Sequence, residues 1–221
     1  MAFFDEIAKA QAQMIRFTSV VSGESVEYPA FVTSFSDSFT INWSGGSPVF
    51  GRTDPIKSYQ STDRRIQASF DILGRSKEIA IDNFQKYSKL IKMLYPLFSD
   101  PMKQQNKSRT IQAGPLMRIR YSNYISSQKS ADGLLGCIQG VDFRPDYNGG
   151  HYLVGTQKDM VPIKYSLSLT FQPLHEEVLG IDPTGEFLNG KFPYNQDAPD
   201  TQRAITLPGS DITAMGRRGD S

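Results

Sequence analysis

The 221-residue sequence predicts a mainly β, α+β fold in which an antiparallel sheet, curled or folded on itself, packs against one dominant helix. Several stretches alternate apolar and polar residues with the period of a half-buried strand. One stretch instead repeats apolar residues at steps of three and four, the spacing of an amphipathic helix. No strand-helix rhythm recurs along the chain, which favours antiparallel over parallel pairing.

At the N-terminus, Phe3, Ile7, Gln11 and Met14 share a helical face, so Phe3–Ile15 reads as a short helix and residues 1–20 as an extension of the main domain. Ser22–Glu27 is polar and turn-like. Phe31, Phe35, Phe39, Ile41 and Trp43 then alternate, interrupted by Asp37, as one long bent strand or two strands kinked at Ser36–Ser38. Gly45-Gly46 makes a turn, and Val49–Tyr59, with Gly51 and Asp54-Pro55, reads as ordered coil or an irregular edge.

Arg64–Phe98 is the expected centre of the fold. Ile66, Ala68, Phe70 and Ile72 point one way, and Arg65, Gln67, Ser69 and Asp71 the other. After Gly74, Ser76 is placed to cap a helix whose apolar stripe is Ala80, Phe84, Tyr87, Ile91 and Leu94. Pro96 disfavours a helical Tyr95, so the helix should stop near Leu94; residues 77–94 would then span ~27 Å, enough to cross several strands. Ser99–Gly114 is a polar loop carrying Lys103, Lys107 and Arg109, a candidate interaction loop. Leu116–Tyr121 is a strand, Ser122–Gly133 a polar connection, and Leu134–Phe143 a strand thinned by Gly136 and Gly140, as a bulge or a close backbone approach requires. After a loop from Arg144 to Asp159, Ile163–Phe171 alternates cleanly. The core candidates are Ile66, Phe70, Ile72, Phe84, Tyr87, Ile91, Leu94, Leu167 and Leu169. Residues 21–180 thus form the β domain. Residues 181–221, with four prolines, five glycines and no amphipathic run, form an extended arm that orders against a partner or stays disordered.

A chain with 38% hydrophobic residues suits one domain plus extensions. Its net charge of +1, from 24 basic and 23 acidic residues, gives no global field for DNA or anionic membranes. No run approaches the ~20 apolar residues of a membrane span, and Met1–Arg16 lacks the pattern of a signal peptide, so a soluble, non-exported chain is expected. The single cysteine, Cys137, excludes an internal disulfide framework. Asn42-Trp43-Ser44, Asn106-Lys107-Ser108 and Arg218-Gly219-Asp220 are short enough to recur by chance.

The chemistry-bearing residues yield mostly exclusions. His175-Glu176-Glu177 begins like a zinc-protease motif, but Leu179 stands where the second histidine is needed, and His151 lies in a Gly-rich loop. No phosphate-binding glycine motif and no nucleophile elbow occurs. Asp54, Asp71, Glu176 and Glu177 are acids from which a glycosidase pair would be drawn, although acids on sheet faces are more often solvated. No catalytic residue, metal site or cofactor is therefore expected. The mixed-charge cluster of Asp54, Lys57, Asp63, Arg64 and Arg65, beside Trp43, Phe50 and Tyr59, suits ion pairs between protein surfaces or an ordinary solvated strand end.

The runs Phe50-Gly51-Arg52-Thr53-Asp54-Pro55-Ile56 and Tyr59-Gln60-Ser61-Thr62-Asp63-Arg64-Arg65, followed by Phe70-Asp71, resemble structural proteins of contractile bacteriophage tails. Gly133-Leu134-Leu135-Gly136, Phe143-Arg144-Pro145-Asp146, Leu174-His175-Glu176 and Phe192-Pro193-Tyr194 are similar to the same group, the baseplate and tail-tube proteins that include tube initiators at the hub-tube junction. The resemblance covers roughly Phe31 to Tyr194. It implies a tail-tube-like antiparallel β-sandwich or barrel with a flanking helix, six copies closing into a ring, and an inner barrel through which DNA passes as cargo. It also implies hub and tube proteins as partners, a place in the virion after assembly in the host cytoplasm, and no enzymatic activity. Phe50, Gly51, Arg52, Asp54, Tyr59, Arg64 and Arg65 are the subunit-interface candidates. The main tube subunit, a tail-associated cell-wall hydrolase and a glycan-binding β-domain are the alternatives.

Overall fold

The structure, a computed structural model, describes residues 14–29, 31–46, 50–51, 53–99, 110–156 and 158–194. Among these residues the order is β1 (Met14–Ser19), β2 (Ser25–Pro29), β3 (Phe31–Gly45), β4 (Lys57–Leu73), α1 (Lys77–Met93), β5 (Leu97–Phe98), β6 (Ile111–Ala113), β7 (Met117–Tyr121), β8 (Leu134–Pro145), β9 (His151–Val154), β10 (Asp159–Pro162) and β11 (Lys164–Pro173). The class is mainly β with a single described helix, and every strand pair is antiparallel. Seven strands make one sheet in the order β2-β1-β7-β8-β11-β4-β3, where the resemblance implied two stacked sheets; β9–β10 and β5–β6 are separate pairs.

The core follows from the alternation of the two central strands. Phe70 lies opposite Leu167 and Ala68 opposite Leu169, and the inward residues Ile66, Phe70, Ile72, Leu167 and Phe171 are fully buried. Ile15 and Phe17 of β1, Val26 and Tyr28 of β2, and Met117 and Ile119 of β7 extend that surface across the sheet. Burying each such side chain stabilises the fold by about 1.5–3 kcal/mol.

Helix α1 covers this face. The Ser76 hydroxyl accepts from the Ile79 amide at 3.3 Å, satisfying one of the unpaired donors at the helix start. At the other end the Leu94 amide donates to the Ile91 carbonyl at 3.1 Å, just before Pro96. The buried line of the helix is rotated from the stripe its sequence suggests and overlaps it at Ala80, while Tyr87 and Leu94 still pack against the core. Ala80, Asn83, Leu90 and Met93 are buried, whereas Phe84, Tyr87, Ile91 and Leu94 are half-buried on its flank. The reason is aromatic packing: Tyr87 stacks on Phe143 of β8 at 4.5 Å between centroids and Phe84 lies 6.2 Å from the same ring, which holds the larger side chains at the helix's margin.

The two glycines of β8 have separate roles. A Cβ on Gly136 would stand 2.3 Å from the Gln172 carbonyl oxygen, so the backbones approach closely there. Near Gly140 the ladder shifts register between Thr170 and Phe171, a bulge.

Other departures come from short signals. Met14 and Ile15, placed by the sequence in a helix, belong to β1, whose Ile15, Phe17 and Ser19 are buried in alternation. The rest of the expected N-terminal helix lies outside the described residues. Ser25–Glu27, expected as turn, opens β2, and β9 falls within the expected loop from Arg144 to Asp159. Arg52, Lys103, Lys107, Arg109 and residues 195–221 also lie outside the described residues.

Candidate interaction surfaces

β3 and β4 are 15 and 17 residues long, and the other neighbour of β4, β11, pairs with it only from Leu73 to Ile66. Beyond that point the hairpin continues as a two-stranded ribbon, from Asp37 to Gly45 on one side, a length of roughly 27 Å. Its two faces differ. Phe39, Ile41, Trp43 and Tyr59 lie on the continuation of the core face and are exposed; Trp43 and Tyr59 meet edge to face at 5.8 Å. On the opposite face the Asn42 amide donates to Ser61 Oγ at 3.0 Å and to Asp63 Oδ2 at 2.8 Å. Towards the tip, Phe50 is fully exposed, Gly51 adopts φ +86°, Asp54 is exposed and Ile56 adds a further apolar side chain.

The root of the ribbon is sealed by a cluster that the sequence did not reveal. Arg64, expected at an interface, is buried and ion-paired to Asp37: Nε lies 3.0 and 3.1 Å from the two carboxylate oxygens and Nη2 2.6 Å from Oδ2. Both side chains are 2% exposed. The guanidinium carbon lies 5.3 and 5.4 Å from the ring centroids of Phe39 and Phe192, which meet each other edge to face at 6.0 Å, a pair of cation–π contacts. Phe192 also meets His175 edge to face at 5.3 Å, and Tyr194 packs edge to face on Tyr124 at 5.9 Å. Burial, and then the Arg64 charge, push the His175 imidazole below its ordinary pKa; Asp37 opposes them. Phe192, in the expected arm, thus packs on the protein's own β3–β4 hairpin.

The sheet face turned away from α1 is polar. Ser69 and Ser168 share a hydroxyl hydrogen bond at 2.9 Å, Ser166 donates to Asp71 at 2.6 Å, and exposed Arg65 continues this face onto the ribbon. Four of its cations are paired with acids: Lys164 with Asp71 at 2.9 Å, Arg118 with Glu176 at 2.7 Å, Arg16 with Glu27 at 3.3 Å and Arg144 with Asp142 at 3.7 Å.

Those pairings also define what the acids do. Glu176 receives both Arg118 amino groups, and this hydrogen bonding holds its carboxyl below the usual carboxylate range. An anion so stabilised is an anchor, the reverse of the raised pKa that a general acid needs. Glu177 accepts from Asn189, and Asp71 is engaged as above. Among the described residues no group of three or more His, Cys, Asp or Glu is arranged to hold a metal, and no helix is long and apolar enough to cross a membrane.

Asp37, Phe192, Tyr194 and His175 were not singled out together from the sequence, yet one signal was present. Asp37 and Arg64 each put a charge at an inward position of an otherwise apolar alternation, and they lie on adjacent strands.

No protein-family model and no curated protein matches the chain. Among solved structures, it is similar to a chain of the anti-feeding prophage (AFP) baseplate, determined by cryo-EM with six-fold symmetrisation. That match has 5% sequence identity, covers 73% of this chain and 88% of the other, and has a TM-score of 0.30, a level at which neither fold nor function transfers.

Proposed function

We propose that this chain is a structural subunit of a contractile phage tail, forming a ring with copies of itself at the junction of baseplate hub and tail tube, where it initiates or extends the tube through which DNA is ejected. The observation that carries this reading is the β3–β4 ribbon. It leaves the sheet with its aromatic face bare, and an exposed apolar strip on a protruding element marks a protein-binding site. The sheet supports it through its open edges, β2 and β3, which closure of a ring satisfies without leaving a free end. The polar face supports it as well, because ion pairs hold four of its cations and reduce its attraction for a passing duplex. The six-fold copy number rests on the resemblance in Phe50–Arg65 and the later motifs.

Negative-stain electron microscopy of the purified protein, alone and with its virion neighbours, tests this. A single ring that stops until hub or tube proteins are added is the expected result. Tubes of unlimited length would identify the main tube subunit instead, and a persistent monomer in both samples would contradict the proposal. One observation favours a second reading: Trp43 and Tyr59 share an exposed face, as a glycan-binding platform would require. Binding of soluble cell-wall oligosaccharides by the monomer, lost in Trp43→Ala, would favour that reading.

A further inference from the structure

The connection between β7 and β8 bounds a pocket of about 380 Å³ whose lining includes Arg120, Ser122, Asn123, Ser127, Ser130 and Gly133. Its backbone is fixed at both ends. Tyr121 and Ile125 exchange backbone hydrogen bonds at 2.9 and 3.0 Å, and Ile125 is fully buried. At the far end Gly133 adopts φ +105°, and a Cβ there would stand 2.1 Å from the Ile119 carbonyl oxygen.

The chemistry of the lining is one-sided, because no acid belongs to it. Arg120 donates through Nη1 to the Ala131 carbonyl at 2.7 Å, and among the described residues no carboxylate pairs with it. Its neighbour across the β1–β7 ladder is a second cation, Arg16, whose acid partner is Glu27 at 3.3 Å. Like charges directly opposite destabilise a sheet, and an anion beside Arg120 offsets that repulsion. Neutral donors stand in the same lining. The Ser127 hydroxyl accepts from the Lys129 amide and the Ser130 hydroxyl from the Asp132 amide, both at 3.2 Å, so each keeps its own hydrogen to donate. The Asn123 side-chain oxygen accepts from Ser122 at 3.2 Å, which leaves the Asn123 NH2 group to donate. Acids close by do not compete. Glu176 and Glu177 line the cavity that shares Ser127 with this one, and Arg118 and Asn189 engage them; Asp132, in the same connection, does not line the pocket.

We propose that this pocket binds a phosphate-class oxyanion, with Arg120 supplying the charge and Ser127, Ser130 and Asn123 supplying neutral hydrogen bonds. A tetrahedral phosphate offers several acceptor oxygens to donors on different walls, whereas a carboxylate offers two in one plane. The volume falls in the range of small-molecule sites, so an organic group carrying the phosphate fits as well. A single anion contact is far fewer than the several neutralised phosphates that hold a duplex, so the site goes beyond the ring assignment and does not depend on it.

Isothermal titration calorimetry of the full chain at constant ionic strength tests it, with inorganic phosphate, glycerol 3-phosphate, dimethyl phosphate and acetate as probes. Saturable phosphate binding is expected, weakened by about tenfold or more in Arg120→Gln and unchanged in Arg144→Gln, an exposed arginine of the same sheet face. Tighter glycerol 3-phosphate supports a free monoester as the ligand, and tighter dimethyl phosphate supports a diester within a polymer. No saturable phosphate binding, acetate bound as tightly as phosphate, or equal weakening in the two variants would overturn the proposal. Hydrogen exchange supplies a readout that does not rely on a variant. Saturating phosphate should slow exchange across residues 122–133 and leave the α1 amides unchanged. Unaltered exchange across 122–133 would also overturn it.

Discussion

The inner and outer halves of the β3–β4 hairpin share strands and alternation, yet their inward-parity residues end in different surroundings. In the inner half Ile66, Ala68, Phe70 and Ile72 are buried beneath α1 and beside β11. In the outer half Ile41, Trp43 and, after the register shift beside Trp43, Tyr59 lie on the same face and are exposed, because β11 pairs with β4 only as far as Ile66. Between them the Arg64–Asp37 pair and Phe192 close the boundary. Period fixes which way a strand residue points, whereas coverage is decided by elements distant in sequence.

The largest test of this contrast lies in the inner half. Phe70→Ala should destabilise the subunit by about 3–5 kcal/mol in denaturant unfolding, through lost transfer energy plus a cavity. At the boundary, Arg64→Ala should cost about 3 kcal/mol, because it strands a buried carboxylate. The double change Arg64→Met with Asp37→Leu should recover much of that loss, since no charge is then left unpaired. A small effect of Arg64→Ala would mean that the root opens to water.

A weaker effect is expected from pH. The His175 imidazole titrates below its unfolded value, so the unfolded chain binds the proton first. Stability is therefore complete above the unfolded pKa of about 6.5, falls as pH drops through it, and levels off below the folded value. Thermal melts between pH 7.5 and 5.5 should show this decline in the native chain and a flatter profile in His175→Gln. In the outer half, Trp43→Ala and Arg65→Glu should each change monomer stability by no more than about 0.5 kcal/mol, as exposed substitutions do, while impairing self-association.

The inner half was legible because its patterns are long: Ile66 to Ile72 and Tyr165 to Phe171 each keep their period over several residues, and Ser76 and Pro96 mark the helix ends. β1 was concealed because Met14 also completes a helical spacing begun at Phe3. β2 offers only Val26 and Tyr28 as inward apolar residues, too few to establish a period. Arg64 read as a surface residue because an arginine near a strand end is commonly exposed; only its partner on β3 explains its burial. Phe192 and Tyr194 reach that site through folding of a segment with no periodic signal.

The central claim is that the bare aromatic face of the ribbon joins subunits. Sedimentation velocity of the wild-type chain beside a Trp43→Ser, Tyr59→Ser variant, with thermal melts of both, tests it most directly. The account predicts a ring-sized species in the wild type and a monomer with a native-like melt in the variant. Equal assembly of the two proteins would contradict it.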